Sequence, residues 1–98
     1  MARQKLEPDE VRAALAELVG WSLSADEASI QRRFVFANFN EAFAFMTRVA
    51  LAAEKLDHHP DWSNSYKTVE VTLSTHSAGG LTELDVKLAK TMNAYAAK

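Results

Sequence analysis

Between Ala42 and Ser74 the hydrophobic period of the chain changes from helical to extended, and Pro60 stands at the change. Proline has no amide donor, and it disfavours helical geometry in the residue before it. A helix therefore ends before the run His58-His59-Pro60, and the two histidines fall just past its C-terminus. Upstream, Phe45, Val49, Ala52 and Leu56 recur at helical spacing, and Phe43, Met46 and Ala50 widen the stripe, which reads as core packing. Asn40 is suited to cap this helix, with Glu41 in its first turn. Downstream, Thr68–Thr75 alternates as a strand does: Val69, Val71 and Leu73 point one way, Thr68, Glu70, Thr72 and Ser74 the other. The same parity puts His76 on the polar face.

The flanking segments supply further elements. A helix is expected from Pro8 to about Val19, with Val11, Leu15, Leu18 and Val19 on one face and Gly20 as its stop. Trp21–Leu23 and Ile30–Phe39 read as two strands joined by a polar turn over Ser24–Ala28. In the second, Ile30, Arg32, Phe34 and Phe36 share a face. Trp62–Tyr66 is a further short strand. Gly79-Gly80 breaks the strand before it, and Thr82-x-x-Asp85 is a capping box with Asp in place of the usual Glu. Leu81 and Val86 suit a hydrophobic staple, and Leu84, Leu88, Met92 and Tyr95 line one face of the last helix. The order is helix, two strands, helix, two strands, helix. This is an α+β fold: a four-stranded antiparallel sheet with about three helices on one face. Residues 1–98 are expected to form one domain.

Composition removes several function classes. There is no cysteine, hence no thiol nucleophile, disulfide scaffold or Cys-bound metal. Net charge is −2 and no basic stripe is present, which argues against direct nucleic-acid binding. No apolar stretch approaches the roughly 20 residues of a membrane span. The N-terminus is polar and has no secretory apolar region, so a cytoplasmic location is expected.

All three histidines, His58, His59 and His76, lie at the edges of elements. Imidazole gives and takes protons near neutrality, and neighbouring carboxylates can fix its tautomer. Asp57 precedes the pair, and Glu54 lies four residues before His58. Adjacent His58 and His59 point apart in an extended chain, so one can face a pocket while the other binds elsewhere. His76 can join them only if its strand lies beside the helix end. Against this stands a plain surface or helix-capping role, which a histidine at a helix C-terminus fills for dipole reasons alone. A metal site is disfavoured, because adjacent histidines chelate poorly and no HxxxH or HExxH spacing is present. Ser74 is near His76, but no nucleophile elbow supports a hydrolytic triad. Asp85 has a structural role as the capping acid. Trp62 and Tyr66 suit packing, or stacking on a flat heterocycle.

The run Glu54-Lys55-Leu56-Asp57-His58-His59-Pro60-Asp61-Trp62, followed by Tyr66, Val69, Val71 and Leu73-Ser74-Thr75-His76, resembles the pterin-4a-carbinolamine dehydratases, also described as dimerisation cofactors of a homeodomain transcription factor. Gly79-Gly80-Leu81-Thr82, Asp85, and the earlier Phe36, Phe39-Asn40-Glu41-Ala42-Phe43 and Phe45-Met46 continue the likeness, which runs from Gly20-Trp21 to the last helix. The resemblance implies dehydration of 4a-hydroxytetrahydrobiopterin to quinonoid dihydropterin, in support of tetrahydrobiopterin recycling, with no metal or organic cofactor. It implies His58 as principal acid/base, His76 as the second catalytic histidine and His59 as a histidine that chiefly binds the pterin. Asp57, Ser74, Thr75 and Trp62 match positions that line the site. Glu54 is expected to orient a histidine from behind.

The resemblance also implies the α+β fold and a homodimer or homotetramer with sheets joined edge to edge, which would cover exposed strand edges. An aromatic amino acid hydroxylase in the same pathway is an implied partner. Two alternatives remain open: a non-catalytic protein-binding or assembly module on the same fold, and an enzyme acting on another pterin.

Overall fold

The computed structural model describes residues 4–97. Helix α1 spans Pro8–Ala16, strands β1 and β2 span Ser22–Leu23 and Ile30–Val35, and α2 spans Phe39–Leu56. Strands β3 and β4 follow at Asp61–Ser65 and Thr68–Leu73, then a 3-10 turn at His76–Ala78 and helix α3 at Glu83–Ala96. The strands form one antiparallel sheet in the order β1-β2-β4-β3. The expected α+β architecture is therefore present.

The inward sheet face carries Ile30, Phe34, Val69, Val71 and Leu73, all buried, as the alternation requires. Against it lie Val11 of α1, Ala42, Phe45, Val49 and Ala53 of α2, and Leu88, Ala89 and Met92 of α3. Phe34 packs on Phe45 with ring centroids 4.8 Å apart. The opposite sheet face, with Gln31, Arg33 and Glu70, is exposed.

Several boundaries differ from the sequence expectation. Helix α1 stops at Ala16 rather than near Val19. Glu17 and Leu18 donate to carbonyls three residues back, tightening the last turn. Leu18 is buried, whereas Val19 points out and is 78% exposed. The Val19 carbonyl accepts from Arg32 Nη1 at 2.8 Å and Asn93 Nδ2 at 3.1 Å. Asn93 Oδ1 in turn accepts from Trp21 Nε1 at 2.8 Å and Arg32 Nη1 at 2.6 Å, so one amide ties the α1–β1 connection and β2 to α3.

Strand β2 ends at Val35, four residues before Phe39, and the helix cap is Asn38 rather than Asn40. Asn38 Oδ1 accepts from the Glu41 amide at 2.9 Å, which places Phe39 and Asn40 inside the first turn. The buried stripe of α2 is Ala42, Phe45, Val49 and Ala53, and Phe43 and Ala50 face outward. In α3, Asp85 and Ala89 join Leu88 and Met92 inside, while Leu84 and Tyr95 are half-buried. Strand β3 begins one residue early, and Tyr66, 63% exposed, sits in the turn with φ 53°.

Candidate active site

Three chain features set where the histidines stand. First, α2 ends at Asp57, whose left-handed φ of 55° turns the chain sharply. That turn sends His58 inward, 4% exposed, and leaves His59 on the surface. Second, β3 pairs with β4 so that Asp61 lies opposite Thr72, which brings the segment entering β3 beside the segment leaving β4. Third, the end of β4 does not run on to His76. Thr75 pairs with Gly80 across a tight loop, and His76 opens the 3-10 turn inside it, exposed. Gly79 closes that turn at φ 75°, a conformation that glycine adopts without strain.

Beneath this loop lies a buried polar cluster. His58 Nε2 is 2.5 Å from Asp85 Oδ1, and Asp85 is fully buried. Asp85 Oδ2 accepts from the Thr75 hydroxyl at 2.8 Å and from the Thr82 amide at 2.9 Å. The two threonine hydroxyls share a hydrogen bond of 2.9 Å. The capping box at Thr82 is thus formed as expected, and its acid also reaches His58, a partner 27 residues away. Among the described residues, no buried side-chain nitrogen or oxygen lacks a hydrogen-bond partner. Burial of so many polar groups is tolerable only when each is satisfied.

The surface pair is separate. His59 Nε2 lies 2.9 Å from Glu54 Oε1, both well exposed. Glu54 therefore addresses His59, not His58, because the turn at Asp57 has swung His58 to the other side.

An open groove of about 400 Å³ runs past this loop. Ser74, Thr75, His76 and Gly80 form one wall, and Asp61 and Asp26 contribute carboxylates. His58 is set behind that wall, one carboxylate removed from Thr75. His59 and Asp57 stand at the adjoining α2 terminus, outside the groove lining. Trp62 lies on the inward sheet face opposite Val71, half-buried against the core. The Thr75 hydroxyl faces Asp85 rather than the groove.

Asp26, Asp61 and the Asp85–His58 contact were not legible as site features. Asp26 sits in the β1–β2 turn, where its carboxylate accepts from Ser24 Oγ at 2.6 Å and the Ala28 amide at 3.0 Å. The Ser24 hydroxyl, with help from the Ala28 amide, holds it below the usual carboxylate range. Among the described residues no three His, Asp or Glu side chains converge as metal ligands, and no helix is long and apolar enough to cross a membrane.

Comparisons with known proteins identify the family. A provisionally named pterin-4-alpha-carbinolamine dehydratase of Mesorhizobium japonicum is 72% identical over 97% of both chains. A protein of the same provisional name from Chelativorans sp. is 69% identical over the full length of both. The crystal structure of a transcriptional coactivator/pterin dehydratase from Brucella melitensis superposes with a TM-score of 0.93 at 50% identity, covering 96% of this chain and all of that one. A pterin dehydratase-like RuBisCO assembly factor of the alpha-carboxysome shares the fold alone, with a TM-score of 0.69 at 22% identity, covering 81% of this chain and 92% of that one. The model of the family described as pterin 4 alpha carbinolamine dehydratase matches residues 4–95, a span that includes His58, His59 and His76, and the chain belongs to that family.

Proposed function

We propose that this protein dehydrates a pterin 4a-carbinolamine to quinonoid dihydropterin by histidine acid–base catalysis. The observation that carries the reading is the buried His58–Asp85 pair set against a groove that His76 lines. In the reaction the C4a–O bond breaks and the hydroxyl takes up a proton to leave as water. The N5 proton is lost to a base, and the N5–H electron pair becomes the C4a=N5 bond. One imidazole that donates and another that accepts suffices, and such groups typically contribute ~10²–10⁴ in rate.

In this reading His58 is the principal acid/base and His76 the second. His59, steadied by Glu54, binds the pterin at the rim. Ser74 and Thr75 shape the site around the ring, with Asp57 at the adjoining helix end and Trp62 supporting from the core side. No metal or organic cofactor takes part. The reaction serves tetrahydrobiopterin recycling beside an aromatic amino acid hydroxylase, in the cytoplasm, with the protein acting as a homodimer or homotetramer.

The test is stopped-flow absorbance of quinonoid dihydropterin formation from freshly generated 4a-hydroxytetrahydropterin. Wild type is expected to exceed the uncatalysed rate, and His58→Ala and His76→Ala each to lose about 10²-fold. A folded wild type that gives no acceleration overturns the dehydratase.

A second reading, a protein-binding module, is favoured by one feature. Phe39, Phe43 and Leu51 of α2 are 47%, 54% and 70% exposed, an apolar surface without a partner among the described residues. The Brucella relative's double description is in keeping with it. A stoichiometric partner recovered by pull-down, from a protein that does not turn over pterin, would establish this reading.

A further inference from the structure

The polar cluster behind the groove has a direction that follows from counting protons. Thr75 has one hydroxyl proton, and it is given to Asp85 Oδ2 at 2.8 Å. The hydrogen bond between the two hydroxyls must then run from Thr82 Oγ1 to Thr75 Oγ1. Thr82 Oγ1 in turn accepts from the Leu84 amide at 3.3 Å, at the start of α3. The chain of donors therefore begins at the backbone of α3 and ends on Asp85. Oδ2 is engaged by two donors, the Thr75 hydroxyl and the Thr82 amide. Oδ1 is left to His58.

A carboxylate oxygen engaged in this way acts as an acceptor, so His58 Nε2 carries the hydrogen between them. The other nitrogen, Nδ1, takes no hydrogen bond from any described residue. With Nε2 engaged by Asp85, Nδ1 is the ring nitrogen left to meet a substrate.

We propose that Thr75, backed by Thr82 and acting through Asp85, is a positioning residue that holds neutral His58 as its Nε2–H tautomer and makes Nδ1 the atom that exchanges a proton with substrate. The proposal rests on the reading of His58 as the acid/base. It adds which nitrogen reacts and what selects it. Two threonines rather than one are needed, because Thr82 fixes the rotor of Thr75 and Thr75 fixes the carboxylate.

Long-range ¹H–¹⁵N spectra of the ¹⁵N-labelled full chain at alkaline pH test it, with the wild type beside Thr75→Val and Thr75→Ser. In the wild type, His58 is expected to show a protonated Nε2 and a bare Nδ1. In Thr75→Val the two nitrogen shifts should converge as the second tautomer fills. The kcat should fall about tenfold with KM little changed, a part of the ~10²–10⁴ that a positioned acid–base group supplies. Thr75→Ser, which keeps the hydroxyl, should restore both. A wild type with its proton on Nδ1 overturns the atom assignment. Unchanged His58 shifts in Thr75→Val overturn the role of Thr75, whatever the turnover. If the valine variant does not fold, the wild-type spectrum still decides the atom assignment, and Thr75→Ala, which removes the hydroxyl without a branched replacement, decides the role of Thr75. The spectra are read without substrate, so a protein inactive toward pterins fails the dehydratase test and not this one.

Discussion

Asp85 caps α3 with one oxygen and faces His58 with the other. Removing the side chain leaves His58 Nε2, the Thr75 hydroxyl and the Thr82 amide without their acceptor in a dry site. Asp85→Ala is therefore expected to lose roughly 2–4 kcal/mol in urea denaturation. Glu54→Ala should cost under about 1 kcal/mol, because its pair with His59 is solvent-exposed. Its expected effect is a raised KM, read in the same stopped-flow assay. The contrast also marks what the residues reveal in advance. The spacing Thr82-x-x-Asp85 discloses the cap, since both partners lie within one turn. It is silent about His58, because no periodicity links positions 27 apart. The same blindness leaves open which histidine Glu54 orients, and the contact with His59 settles it once the left-handed turn at Asp57 has turned His58 inward.

At the level of elements, the helices and strands β2 and β4 are announced by their hydrophobic period, while β1 and β3 are too short or too polar to show one, and the ends are not announced. The cap of α2 is the clearest case, since Asn38 and Asn40 are equally good caps by residue type. Asn38→Ala is expected to lower stability by about 1 kcal/mol and Asn40→Ala by less than about 0.5, measured by thermal or urea unfolding. The β1–β2 turn offers a test in pH. Asp26 is held below its ordinary value of 3.8 by Ser24 and Ala28, so its ionised form is favoured by folding. A depressed carboxyl contributes stability above its unfolded value, and that stability is lost as pH falls through the folded one. Asp26→Ala should thus be less stable than wild type near neutrality, and the two should converge in strong acid. A difference that persists there would mean the turn is held by something other than the charge.

Across the whole molecule, Asn93 joins three elements that are far apart in sequence. Its amide satisfies Trp21, Arg32 and the Val19 carbonyl at once. Asn93→Ala should cost about 2–3 kcal/mol and unfold the protein cooperatively, as read by circular dichroism and Trp fluorescence together. Gly20→Ala should act on the same junction. Gly20 has φ 87°, and an added Cβ would lie 2.7 Å from Arg32 Nε. The antiparallel sheet and its layer of helices are readable from the chain, but the strand order β1-β2-β4-β3 is not. The Asn93 junction is not, because a lone asparagine late in a helix carries no signal of a partner more than seventy residues earlier.

The capping box that ends at His58 also couples two events that are usually independent: fraying of a helix and occupancy of a site. The first turn of α3 opens only if Thr82 and Asp85 part, and that releases the histidine. By reciprocity, a molecule that prefers the ordered histidine must slow amide exchange at Asp85 and Val86, and a substitution that loosens this turn must weaken the molecule's grip by the same factor.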